Sequence, residues 1–222
     1  LKAGHDDPRV RKVGSPEFLA WAQHRAEFVN HFMRDLRQQL RAFEQTSQRK
    51  VPVMVRIPEA TLDLNLMEGL DLRTWLKEGW VDEVTLDPLW IWDFDYPDTA
   101  RAYRDLTLAH GVKLYGGANT TAGKGMKANA RAFLERVSRN YGEGVDGIAL
   151  FQTDTALLAQ ELKAMLGPLM PRLADPSAVA EMLASARHKK LEMMESERWF
   201  GLDNHSLMPQ LSGSPRLSLD TL

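Results

Sequence analysis

A chain of 222 residues, 44% hydrophobic and 26% charged, has enough apolar material for one substantial core and the composition of an ordinary globular protein. Its formal charge of −2, with basic and acidic residues scattered along the chain, gives no electrostatic footprint for nucleic acid or an anionic membrane. The absence of cysteine excludes a disulfide framework, thiolate metal sites and cysteine nucleophiles, and is compatible with cytosol or periplasm.

Residues 1–16 read as a leading loop. "LKAGHDDPRVRK" has no apolar signal core, and no run in the chain approaches the roughly 20 apolar residues that span a bilayer. The chain does not begin with methionine and opens in what reads as mid-loop, so the compartment stays undetermined. Ser15-Pro16-Glu17 then starts a long amphipathic helix, Glu17 to Glu44, with Phe18, Trp21, Phe28, Phe32, Leu36 and Leu40 at helical spacing. His24 and His31 lie on nearly one face of it, but with no third ligand nearby no metal site is expected, nor any cofactor.

Four short apolar runs follow: "VPVMVRIP" from Val51, "VDEVTLDP" from Val81, "VKLYGGAN" from Val112 and "VDGIALFQ" from Val145. Their spacing of about thirty residues is what one strand, one helix and two loops occupy in a βαβ unit. Between them, Asp71 caps a helix closed by Gly79, Asp98 to Ala109 stops before Gly111, and Lys127 to Tyr141 stops before Gly142. Asp154 opens another helix, closed by Gly167. Further helices are expected over 168–200, Pro176 to Met194 being the clearest, and 201–222 reads as a Ser/Pro/Gly-rich tail or linker.

Alternation within the runs narrows the α/β class. Val53, Val55 and Ile57 oppose Met54 and Arg56; Val84 and Leu86 oppose Thr85 and Asp87; Val112 and Leu114 oppose Lys113 and Tyr115; Ile148 and Leu150 oppose Gly147 and Ala149. A doubly wound sheet needs aliphatics on both faces, whereas a barrel packs one side on its helices and keeps a mixed interior. The expected fold is a partial (β/α)8 TIM-type barrel: about four parallel strands with flanking helices over 17–167. A full barrel takes eight strands, so the expectation is the carboxyl-terminal half, with the other half supplied by upstream chain or by a second copy.

The helix "WAQHRAEFVNHFMRDLRQQL" followed by "VPVMVRIP", "GLDLRTWLKEGWVDEVTLDP", "GVKLYGGAN" and "YGEGVDGIALFQ" resembles the carboxyl-terminal half of the glycosyl hydrolase-like family ten proteins, bacterial barrels held to act on carbohydrates. The resemblance covers roughly Trp21 to Gln152. It implies a barrel with a sugar-binding carboxyl face, and it assigns no catalytic residue.

Glycosidic cleavage needs one carboxylic acid to protonate the leaving oxygen and a second carboxylate to attack or to activate water. Asp87, whose parity points inward at a strand end, and Glu59 after the first strand are the candidate catalytic residues; Asp87 also reads as a turn aspartate and Glu59 as a solvated loop residue. Trp90 and Trp92 can stack on sugar rings with Asp93 accepting from hydroxyls, or can staple the loop that also holds Asp95 onto its neighbours. Arg56 inside a strand requires a partner, and Asp87 is the nearest. Tyr115, Asn119, Gln152 and Asp154 complete a substrate-binding ring, Asp154 doubling as a helix cap. The third run ends "LYGGANTT", without the glutamate that the commonest retaining barrel glycosidases place there.

The function expected from the residues is therefore hydrolysis of a poly- or oligosaccharide. One alternative is a barrel enzyme binding a phosphorylated metabolite through the 116–125 loop, "GGANTTAGKG", with Lys124; a third is a barrel that binds carbohydrate without cleaving it.

Overall fold

The computed structural model describes residues 15–87, 99–119, 130–151, 164 and 167–185. Ser15 caps helix α1 (Pro16–Ser47): its hydroxyl accepts the Phe18 N–H at 3.3 Å, and Pro16 occupies the first turn, where a missing N–H costs nothing. The helix continues past Glu44 and ends where Gln48 turns left-handed at φ 55°.

The buried stripe of α1 shares Phe18 with the expected aromatic row and departs from it at Phe28 and Phe32. Phe18, Ala22, Ala26, Asn30 and Met33 face the protein, whereas Phe28 and Phe32 are 73% and 64% exposed. Both rows fit a period of 3.6 residues, and the small row wins because alanines let the helix lie close against Ala60, Leu64, Leu66 and Met67. His24 and His31 are exposed.

Strands β1 (Met54–Pro58), β2 (Glu83–Asp87), β3 (Lys113–Asn119) and β4 (Gly147–Phe151) form one parallel sheet in the order β1-β2-β3-β4. β1 starts later than Val51, because Pro52 has no N–H to give a ladder. Between β1 and β2 lie α2 (Leu62–Met67) and α3 (Leu72–Lys77). The sequence pattern does not announce α2: it is a six-residue turn of helix held by Thr61, whose hydroxyl accepts the Leu64 N–H at 3.3 Å. After β2 come α4 (Thr99–Ala109), β3, α5 (Ala130–Gly142), β4 and α6 (Pro176–Ser185). The remainder of the expected 168–200 helices and the 201–222 tail lie outside the described residues. Gly142 belongs to α5, and the left-handed turn falls on Gly144, φ +91°.

Asp71 caps α3 and also ties it to α1. Its carboxylate accepts from the Thr74 N–H (3.2 Å) and hydroxyl (2.6 Å), from Gln23 (2.7 Å) and from Asn30 (3.3 Å), while Asn30 in turn accepts the Trp75 indole N–H at 2.7 Å. Burial works against the charge on Asp71, but these hydrogen bonds outweigh it and hold the carboxyl below its usual range.

The aliphatic parity of the strands is the core. Val53, Ile57, Val84, Leu86, Leu114 and Ala118 are all at most 8% exposed, against Trp75, Leu72, Tyr103 and, beyond β3, Phe133, Leu134 and Val137 of α5. A fully buried side chain of this size contributes about 1.5–3 kcal/mol. The opposite parity carries Met54, Arg56 and Lys113, all exposed, with half-buried Tyr115 and buried Thr85 and Asp87. The protein is thus an α/β structure with a four-stranded parallel sheet, helices flanking one aliphatic face and a mixed second face. No described helix is long and apolar enough to cross a membrane.

Two aspartates fasten the amino ends of the strands. Asp82 accepts the Val53 N–H at 2.7 Å and pairs with Arg37 of α1 at 3.0 Å. Asp146 accepts the Leu114 N–H at 2.8 Å and pairs with Arg104 of α4 at 2.7 Å.

Candidate functional site

The carboxyl ends of β1 and β2 bring Arg56, Asp87 and Glu59 into one neighbourhood. The register sets Arg56 opposite Thr85 and Pro58 opposite Asp87. Arg56 and Asp87 therefore share the mixed face, and the Arg56 Nε lies 2.8 Å from the Asp87 Oδ2. The exposure of the pair is lopsided: the Arg56 side chain is 57% exposed and that of Asp87 only 4%. The guanidinium faces solvent and the carboxylate sits beneath it, which is the pairing that parity and the cost of an unpaired strand charge lead one to expect.

Glu59 is no solvated loop residue. It is 5% exposed in the bend after β1, its N–H donates to the Asp87 carbonyl at 2.8 Å, and its carboxylate forms an ion pair with Arg136 of α5. Arg136 also donates from Nε to the Gly117 carbonyl at 3.3 Å, a carbonyl shared with the Asn140 amide at 3.1 Å. Burial, helped by Arg139, lowers the Arg136 guanidinium to about 10, still protonated at neutral pH. Glu59 continues the parity of Ile57, toward the helices, so the two candidate carboxylates hang from opposite sides of the strand ends, each with its own arginine.

Thr85 and Tyr115 are register partners on the Asp87 face, and Tyr115 is in turn opposite Gly147. A Cβ on Gly147 would stand 3.1 Å from the Tyr115 ring, so glycine there leaves room for the ring against the next strand. Asn119 closes β3 opposite Phe151. Gly116, Gly117 and Ala118 pair with Ile148, Ala149 and Leu150, so the first part of the 116–125 segment is strand, and the Gly117 carbonyl is taken by Arg136 and Asn140. The Asn119 side chain, Lys124, Trp90, Trp92, Asp93, Asp95, Gln152 and Asp154 lie outside the described residues.

No family model matches the chain, and no curated protein matches it. Its chemistry is read from the residues themselves. An arginine beside a carboxylate favours its charged form, and a charged carboxylate suits a base or nucleophile better than an acid that must deliver a proton. Among the described residues no group of three His, Asp or Glu side chains is placed to hold a metal ion. Arg136 and Asn140 are the site residues that sequence reasoning missed. Their signal is faint: two polar residues one turn apart on α5, opposite a Gly-Gly pair small enough to admit them.

Proposed function

We propose that the chain is part of a (β/α)8-barrel glycoside hydrolase that cleaves a poly- or oligosaccharide at the carboxyl ends of its strands. The observation that carries the proposal is the Arg56–Asp87 pair: a buried carboxylate at a strand end, on the face away from the packed helices, under an exposed arginine. In a barrel that face is the interior and its carboxyl end is where substrate sits.

In this scheme Asp87 is the charged carboxylate that activates water or attacks the anomeric carbon. Arg56 positions it and donates to a sugar hydroxyl, and the Tyr115 ring with its hydroxyl flanks the same face. Glu59, committed to Arg136, braces the ends of β1 and β3. The proton donor to the leaving oxygen comes from another carboxylate, Asp154 or one on the strands that close the barrel, which upstream residues of a longer chain or a second copy provide. Trp90 and Trp92, with Asp93, Asn119 and Gln152, line the sugar subsites.

The test is reducing-end release from a panel of neutral and acidic polysaccharides by the complete protein. Cleavage of one class supports the assignment. Release from none of them, with binding to one retained, would move the protein to the non-catalytic carbohydrate-binding class.

A further inference from the structure

A second feature lies at the other end of the strands, where α1 passes the turn between α3 and β2. A groove of about 440 Å³ is lined there by Arg34, Arg37, Gln38, Arg41 and Gln45 of α1 and by Trp80. Positions 34, 38, 41 and 45 recur every three or four residues, so they form one stripe along roughly 16 Å of helix at 1.5 Å per residue.

The arginines are not equivalent. Arg37 is built into the fold: its side chain is 13% exposed and pairs with Asp82. Arg34 meets Asp35 through Nε alone, at 3.1 Å with both side chains more than half exposed, and among the described residues its terminal NH2 groups meet no acceptor. Arg41 gives one N–H to the Gly79 carbonyl at 3.1 Å and has no carboxylate partner among the described residues. The groove thus presents two guanidinium forks with donors unspent among the described residues, with the Gln38 amide between them and that of Gln45 one turn beyond Arg41. Trp80, half-buried against the core, forms an apolar wall. Guanidinium forks match the two-oxygen edge of a carboxylate, sulfate or phosphate, and an indole face accepts the flat apolar part of whatever carries that group.

We propose that this groove is a binding site for an oxyanion-bearing ligand, held by Arg34 and Arg41 with Trp80 against its ring or carbon skeleton. The site is independent of the Asp87 chemistry: its residues come from α1 and the α3–β2 turn, and none of them stands at a strand carboxyl end.

The experiment is isothermal titration of the complete chain at low salt with three probes: inorganic phosphate, inorganic sulfate, and a galacturonate trisaccharide. The uncharged galactose trisaccharide is the control. Saturable one-to-one binding of at least one anion is expected. It should weaken about tenfold in Arg41→Ala, about tenfold in Arg34→Gln, and further as salt rises, while the control does not bind. Which probe binds tightest identifies the oxyanion. Both side chains project to solvent, so the variants should keep the wild-type Tm, and that is checked first. Absence of saturable binding by all three probes overturns the proposal, as does binding that both variants leave unchanged.

Discussion

Asp82 and Asp146 do the same thing at two places in the sheet. Each stands just before a strand, accepts the N–H of a residue at the start of the preceding strand, and pairs with an arginine from the helix before that one: Asp82 with Val53 and Arg37, Asp146 with Leu114 and Arg104. A helix–strand–helix–strand unit with the same clamp thus occurs twice in the chain. Removing the carboxylate orphans a strand N–H and a partly buried arginine. Asp82→Ala and Asp146→Ala should each lower stability by about 1–3 kcal/mol in urea unfolding. Because the clamps share no partner, the double variant should be additive to within about 0.5 kcal/mol.

Asp71 gives the fold an acid dependence. Its carboxyl is held below the usual value in the folded state, so below about pH 4 the unfolded chain binds more protons than the folded one. The stability that Asp71 contributes is present above that pH and is lost as pH falls through its folded value. Asp71→Asn should therefore be destabilising at pH 7 and nearly neutral near pH 2, measured as the difference in urea midpoint between variant and wild type. A difference that does not narrow on acidification contradicts this.

Gly116 shows how closely α5 approaches β3. A Cβ there would lie 2.6 Å from the Asn140 side chain, which is itself 1% exposed and bonded to the Gly117 carbonyl. Gly116→Ala should cost about 1–3 kcal/mol in thermal or chemical unfolding. Truncating the obstacle should recover part of the loss, making Gly116→Ala less costly in an Asn140→Ala background than in the wild type.

The outward face of α1 makes a contrasting prediction. Phe28→Ser and Phe32→Ser should change stability by no more than about 0.5 kcal/mol, because both rings are largely exposed. A loss of several kcal/mol would mean that the aromatic row, and not the alanine row, is the packed one.

These cases mark what the residues announce and what they conceal. The strand rhythm was legible because each of the four runs alternates cleanly, and parity alone put Arg56 beside Asp87. Asp71 was legible as a cap, but its ties to Gln23 and Asn30 span more than forty residues and leave no local pattern. On α1 the expected row holds at Phe18, Trp21 and Leu40, which pack against the core, and fails at Phe28 and Phe32, because two helical rows compete there and close approach favours alanine over phenylalanine. Glu59 reads from the sequence as either a catalytic carboxylate or a solvated loop residue, because its partner, Arg136, lies on a helix whose charged residues look solvated in isolation. The boundary between Gly142 and Gly144 depends on which glycine turns left-handed, and that is Gly144, φ +91°.

In the proposed reaction Asp87 is the reacting carboxylate and Glu59 a brace. The rates of Asp87→Asn and Glu59→Gln on the polysaccharide that the wild type cleaves, with the Tm of each, separate the two roles. Asp87→Asn should lose about 10²–10⁴-fold in kcat, while Glu59→Gln should keep the wild-type rate and unfold at lower temperature because Arg136 loses its charged partner. Wild-type rates in Asp87→Asn would contradict this assignment, whatever Glu59→Gln does.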